Sequence, residues 1–352
     1  MRFVAITVSV VFVAMRTEGW SWWGSDDTVQ EEAALCPEPQ DISPCVCSNS
    51  SVLSLKMDCS EVLDESELAR VFSAFFPIKA FDKLTISHNQ FLTTLPDGVF
   101  GEVSFTNIYV TGGVLESVGE AALTSSFNTA ERLMFNGNRI SNFPFHILSN
   151  FSKLTSMSLA YNNLNELPDL SSDTLENLYI NNNPLGNVAA STFMGTPAIS
   201  VVYLQETELQ QIIPDPPTSE PSANLSHLST VYLFRNSLTE VPASAVEFPS
   251  DQGSVYLSLN NISKVAPNAF PGLTGGTVEV QRNELTELPE EVWRPLLEEG
   301  VNITPWGNPL VCGCDIAWLL NTSFIAQIDP MFTTCEDGRK LALLDPADYA
   351  DC

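Results

Sequence analysis

From residue 84 to residue 310, apolar and polar positions follow one recurring pattern. It reads apolar-x-apolar-x-x-Asn-x-apolar, followed two or three residues later by another apolar residue and often proline. Copies include LTISHNQF, LMFNGNRI, MSLAYNNL, LYINNNPL, VYLFRNSL, VYLSLNNI and VEVQRNEL. The sixth position of the pattern is held by Asn89, Gly113, Asn138, Asn162, Asn183, Thr207, Asn236, Asn260, Asn283 and Asn308. Successive spacings are 24, 25, 24, 21, 24, 29, 24, 23 and 25 residues. Two apolar residues two apart predict a short strand with one side turned inward. The asparagine that follows carries both donors and acceptors, so it can satisfy the backbone of a tight turn. One copy cannot bury its apolar side alone, so the copies must stack into a continuous core.

Ten copies at this period are the leucine-rich repeat signature. The LP and VP pairs in LPDGVF, ELPDL, EVPASAVEF and ELPEEV resemble extracellular repeats. The predicted fold is an α/β solenoid: a horseshoe with parallel strands on the concave face and a mostly irregular or 3-10 convex side. In the last copy, VNITPWGNPL, the inward pair is Val301 and Ile303 or Ile303 and Pro305, and the second choice keeps the spacing. Gly113 and Thr207 interrupt the asparagine ladder and should weaken it locally. The 29-residue copy contains PDPPTSEPS (Pro214–Ser222), a proline-rich excursion read as a surface loop, with a binding role as the alternative.

A stacked solenoid needs caps at both ends. Cys36, Cys45, Cys47 and Cys59 precede the repeats, and Cys312, Cys314, Cys335 and Cys352 follow them. Eight cysteines allow 105 pairings, and pairing within each group leaves nine. Zinc is the rival use of C-x-C pairs, but no histidine lies near. The spacings resemble the cysteine caps of extracellular leucine-rich repeat proteins. That resemblance implies Cys36–Cys47, Cys45–Cys59, Cys312–Cys335 and Cys314–Cys352. Between the first cap and the first repeat, DESELARVFSAFF predicts a helix capped by Asp64, with Glu67 three residues on. Leu68, Val71, Phe72 and Phe75 form its apolar stripe and Pro77 its end, so the stripe should close the solenoid core.

The first residues add a compartment. Arg2 precedes a 13-residue apolar run, Phe3 to Met15, with Thr17 and Gly19 suitable for signal-peptidase cleavage after Gly19. The division is therefore 1–19 signal peptide, 20–35 flexible acidic arm, 36–82 N-terminal cysteine cap with its helix, 83–307 repeats and 308–352 C-terminal cysteine cap. Secretion suits the disulfides. Sequons at Asn49, Asn150, Asn224, Asn261, Asn302 and Asn321 fit a secreted glycoprotein, although Asn261 sits close to a turn. No later stretch reaches the length of a membrane span, and no membrane anchor is expected.

The position between the inward pair reads Thr85, Tyr109, Met134, Ser158, Tyr179, Tyr203, Tyr232, Tyr256 and Glu279 over nine copies. Tyr161 lies just before its asparagine on the same side. Phe234 and Arg235 follow Tyr232. These residues, Tyr109, Tyr161, Tyr179, Tyr203, Tyr232, Phe234, Arg235 and Tyr256, form the candidate partner-binding set, because exposed tyrosine is a favoured interface anchor. A purely structural aromatic ladder is the alternative. The chain carries 43 acidic and 15 basic residues, a net charge of −28. Outward concave positions nevertheless hold Lys83, Arg132, Arg235 and Arg282 against Glu206 and Glu279. So few cations exclude nucleic acid as the main partner. A protein partner is expected, with carbohydrate as the second choice.

No HExxH, GxSxG, Walker A, dinucleotide or EF-hand pattern occurs. His88, His146 and His227 have no nucleophile set beside them by the repeat. The acidic clusters read as solvated surface. No catalytic residue, cofactor or metal is expected. The whole mature chain also resembles one arthropod family, through CPEPQDISPCVCS, FPIKAFDKLTISHNQFLTTLPDGVFGEVSFTNI and NPLVCGCDIAWLL…CEDGRKLALLDPADYADC. The family is named after the non-catalytic, leucine-rich subunit of Oplophorus-luciferin 2-monooxygenase, a shrimp luciferase whose chemistry resides in a separate small subunit. The resemblance implies a secreted accessory protein and carries over no luciferin-binding residue. An extracellular recognition, innate-immune or matrix protein is the alternative role.

Overall fold

The computed structural model of the chain describes residues 35–49, 54–213, 226–249 and 252–352. The predicted signal peptide, all of the predicted acidic arm but Leu35, the sequon at Asn224 and the predicted loop Pro214–Ser222 lie outside the described residues. The main sheet has 12 strands in strict chain order. Only its first pair, Val46–Asn49 with Leu55–Asp58, is antiparallel. Each repeat then adds one short parallel strand, from Ala80–Ser87 to Asn302–Thr304. On the return side lie 3-10 turns such as Thr124–Ser126 and Phe145–Asn150, three two-stranded ribbons and the helix Glu290–Glu298. This is a leucine-rich repeat solenoid.

The core is one column of inward side chains. Leu84, Ile108, Leu133, Met157, Leu178, Val202, Val231, Val255, Val278 and Ile303 stack across ten strands, all buried. Ile303 pairs in register with Val278 and Pro305 is also buried, while Val301 fills the core just ahead of the strand. The core begins earlier than the repeats. Leu55, Met57 and Cys59 point inward from a strand inside the N-terminal cap.

The asparagines weld each turn to its neighbour. The Asn162 amide donates to Phe135 O at 3.0 Å and Leu159 O at 2.9 Å, while its Oδ1 accepts from Ile140 N at 2.9 Å. Asn183, Asn260, Asn283 and Asn308 repeat this geometry. At Gly113 the flanking asparagines take over. Asn138 Oδ1 accepts from Gly113 N and Leu115 N, and Asn89 Oδ1 serves its own turn through Phe91 N and Leu92 N. A Cβ on residue 113 would stand 2.7 Å from Asn89 O, so the repeats close up where the side chain is missing. Thr207 donates to Leu204 O at 2.7 Å, and Leu185 N turns to Asn183 O instead.

The caps seal both ends. The bridges are Cys36–Cys47, Cys45–Cys59, Cys312–Cys335 and Cys314–Cys352. The helix Glu65–Phe72 starts where Asp64 accepts from Glu67 N, and Glu67 reaches back to Leu63 N. Leu68, Val71 and Phe72 are buried, but Phe75 is not: it is 80% exposed. The helix ends at Phe72, with the Ser73 amide bonded to Ala69 O and Arg70 O. The periodicity therefore stops before Phe75, and Phe76 turns inward to stack on Phe72 at 5.7 Å. In the other cap Trp318 Nε1 donates to Leu288 O and Tyr349 Oη to Cys312 O.

Candidate functional site

The repeat period fixes where the tyrosines go. In register, Thr85, Tyr109, Met134, Ser158, Tyr179, Tyr203, Tyr232, Tyr256, Glu279 and Thr304 form one row across the sheet. Their inward neighbours are in the core, so this row faces out. Strand spacing in a sheet is about 4.8 Å, close to the centroid separation of offset-stacked rings. Tyr179, Tyr203, Tyr232 and Tyr256 accordingly stack face to face, with centroids 4.4, 4.5 and 4.6 Å apart and planes within 13°. All four are half-buried. Phe234 meets Tyr232 edge-on at 6.4 Å.

Burial, followed by the neighbouring phenols, raises the pKa of Tyr179, Tyr203 and Tyr232 above the ordinary tyrosine value. These phenols are neutral at physiological pH. Beside the rings runs a polar chain. Asn181 Nδ2 donates to Asn182 Oδ1, Asn182 Nδ2 to Glu206 Oε2, and Arg235 pairs with Glu206 at 3.1 Å. Arg235 is thus a neutralised cation that fixes the rim of the stack.

The other candidates stand apart. Tyr109 lies under the Lys83 ammonium at 4.4 Å, separated from the stack by Met134 and Ser158. Tyr161 is 61% exposed with φ 58° and makes no ring contact with the stack. Its left-handed backbone belongs to a series. His88, Gly112, Gly137, Tyr161, Asn182, Glu206, Arg235, Leu259, Arg282 and Gly307 all have positive φ and all precede a ladder position. Where the residue is not glycine, this conformation turns its side chain out along the edge of the face.

Two contributors were missed in the sequence. Lys56 pairs in register with Lys83, so the face begins inside the N-terminal cap. The alternation of Leu55, Met57 and Cys59 with Lys56 and Asp58 was the available signal. Trp306, two positions before Asn308, carries the Arg282 guanidinium over its ring at 5.2 Å. Asn302, in the last strand, brings one sequon onto the same face, and Asn49, Asn150, Asn261 and Asn321 are also exposed. Among the described residues there is no group of three or more histidine, cysteine or carboxylate side chains arranged to hold a metal. No helix among them is long and apolar enough to cross a membrane.

No protein-family model matches the chain. The Oplophorus-luciferin 2-monooxygenase non-catalytic subunit of Oplophorus gracilirostris is 33% identical over 325 residues, 91% of this chain and 89% of the relative. Tsukushi of Xenopus tropicalis is 27% identical over 43% of this chain and 44% of its own length. Keratocan of Danio rerio is 26% identical over 40% of each. Among solved structures, a chain of the octameric complex of Latrophilin 3, Unc5D and FLRT2 matches with a TM-score of 0.68 at 19% identity, covering 88% of this chain and 98% of its own. A chain of the mouse RP105/MD-1 complex gives 0.55 at 17% identity, over 82% and 45%. At these identities the structures speak to the fold alone. With two thirds of both chains exceeded in the first comparison, the chain belongs to the non-catalytic leucine-rich repeat family of the Oplophorus-luciferin 2-monooxygenase subunit.

Proposed function

We propose that this chain is a secreted accessory glycoprotein that binds a partner protein through its concave face, centred on Tyr179, Tyr203, Tyr232 and Tyr256. The observation that carries the reading is the four-ring stack on the open side of the sheet. Rings held by their neighbours lose little side-chain entropy on binding, which is the usual advantage of tyrosine as an anchor. Phe234 and the paired Arg235 extend the contact area at one edge. The stack also favours a protein over a sugar partner. A sugar packs its C–H face on an open aromatic face, and here the inner faces cover one another. What remains free is a row of ring edges and hydroxyls, suited to a polypeptide with hydrogen-bonding groups. Four disulfides and exposed sequons support an oxidising, secreted setting.

The test begins with co-purification from the native secreted fluid. A stoichiometric small protein supports the accessory reading; matrix or microbial glycans favour the recognition role instead. With the partner in hand, Tyr203→Ala with Tyr232→Ala should weaken binding about tenfold or more. The thermal midpoint is measured on the same preparation. Unchanged affinity in a folded variant would move the site elsewhere, for example to the loop Pro214–Ser222.

A further inference from the structure

Partner binding uses the edges of the stacked rings and leaves their mutual faces unexplained. Each neighbouring pair holds two phenols nearly parallel at 4.4–4.6 Å, on strands locked in register. The rings are half-buried, so a small oxidant or an exposed enzyme heme edge can reach them. Phenols oxidised by one electron couple through the carbons ortho to oxygen. In solution that step waits for two radicals to meet; here the second ring is already in place, an arrangement that raises the effective concentration by orders of magnitude.

We propose that the tyrosine stack is an oxidative modification site, at which a peroxide-dependent heme peroxidase joins adjacent tyrosines into a dityrosine bridge between repeats. Each phenol loses an electron and its Oη proton to give a phenoxyl radical. The two radicals form one Cε–Cε bond. Each joined carbon then gives up its hydrogen as a proton, and each oxygen takes a proton, restoring two aromatic phenols. The net change is the loss of two electrons and two protons, which reduce one hydrogen peroxide to two waters. Among the described residues Tyr109, Tyr161 and Tyr349 have no tyrosine in ring contact, so they serve as internal controls.

The experiment needs no partner, so its failure leaves the binding reading standing. Dilute full-length protein is treated with hydrogen peroxide and a heme peroxidase, and in parallel with a light-excited ruthenium complex and persulfate. After reduction of the disulfides, the expected result is dityrosine fluorescence in the monomer. Peptide mapping should join Tyr179 to Tyr203, Tyr203 to Tyr232 or Tyr232 to Tyr256, each product lighter by two hydrogens. Tyr203→Phe with Tyr232→Phe keeps stacked rings but leaves Tyr179 and Tyr256 three strands apart. It should cut monomer dityrosine about tenfold or more. No dityrosine in the monomer with either oxidant would overturn the proposal. So would coupling that maps to Tyr109, Tyr161 or Tyr349, or that is unchanged in the double variant.

Discussion

A single buried amide at each turn joins one repeat to the next. Asn162 is 5% exposed and serves four backbone groups in two repeats. Asn162→Ala orphans Ile140 N and leaves Phe135 O and Leu159 O with only the Asn138 and Asn183 amides, at a cost of about 1–3 kcal/mol. The denaturant midpoint should fall with an unchanged slope; an unmoved midpoint would place the amide outside the buried turn. The two interruptions of the ladder then behave oppositely. Thr207→Asn should be neutral or stabilising, because the threonine already occupies a buried, hydrogen-bonded slot of similar size. Gly113→Asn should destabilise by about 1–3 kcal/mol although it restores the repeat pattern, because its Cβ meets Asn89 O. Urea melts of both variants decide this, and a stabilised Gly113→Asn would show that the backbone there can relax.

At the scale of elements, three adjacent strands carry tyrosines whose pKa values are raised, Tyr179, Tyr203 and Tyr232. Below about pH 10, folded and unfolded tyrosines are both neutral and the stack has no pH dependence. Above it, the unfolded chain releases its phenol protons first, because folded Tyr179, Tyr203 and Tyr232 have raised pKa values. Stability is therefore lost as pH rises from about 10 through the folded values. Tyr203→Phe with Tyr232→Phe should flatten that alkaline loss, measured as the difference in midpoint between neutral and alkaline melts; an equal slope in both proteins would mean the phenols are unperturbed. The stack itself was legible in the sequence, since spacing alone puts one residue per strand into one row. The end of the capping helix was not. Phe75 and Phe76 are equally apolar, and which one packs is settled by Phe72 and Phe81 in three dimensions. The left-handed residues before each ladder position were also hidden. His88, Glu206, Arg235 and Leu259 share no chemistry, and the stacked turn dictates their backbone, at a cost of roughly 1 kcal/mol each that side-chain identity does not signal.

At the largest scale, the unit from Leu35 to Cys352 is a one-dimensional stack of repeats, so its ends govern how it comes apart. The four bridges close segments of 11, 14, 23 and 38 residues. In the chain-entropy model these contribute about 3 kcal/mol for the shortest and about 4 kcal/mol for the longest. Cys314–Cys352 is the longest and binds the last residue of the chain to the cap that covers Ile316, Leu319, Ile328 and Leu341. Replacing both cysteines by serine removes that restraint, while Cys312–Cys335 still holds the cap to the strand side. A repeat contacts only its neighbours, so the loss should not spread evenly. Amide hydrogen exchange is expected to rise first in the cap and in the strand Asn302–Thr304, then in Thr274–Glu279, while Ala80–Ser87 keeps its protection. The tyrosine strands lie between these limits, so partner affinity should survive conditions that already open the C-terminal cap. Uniform acceleration across all strands would mean the solenoid unfolds as a single cooperative unit, and the cap bridge would then stabilise the tyrosine face directly.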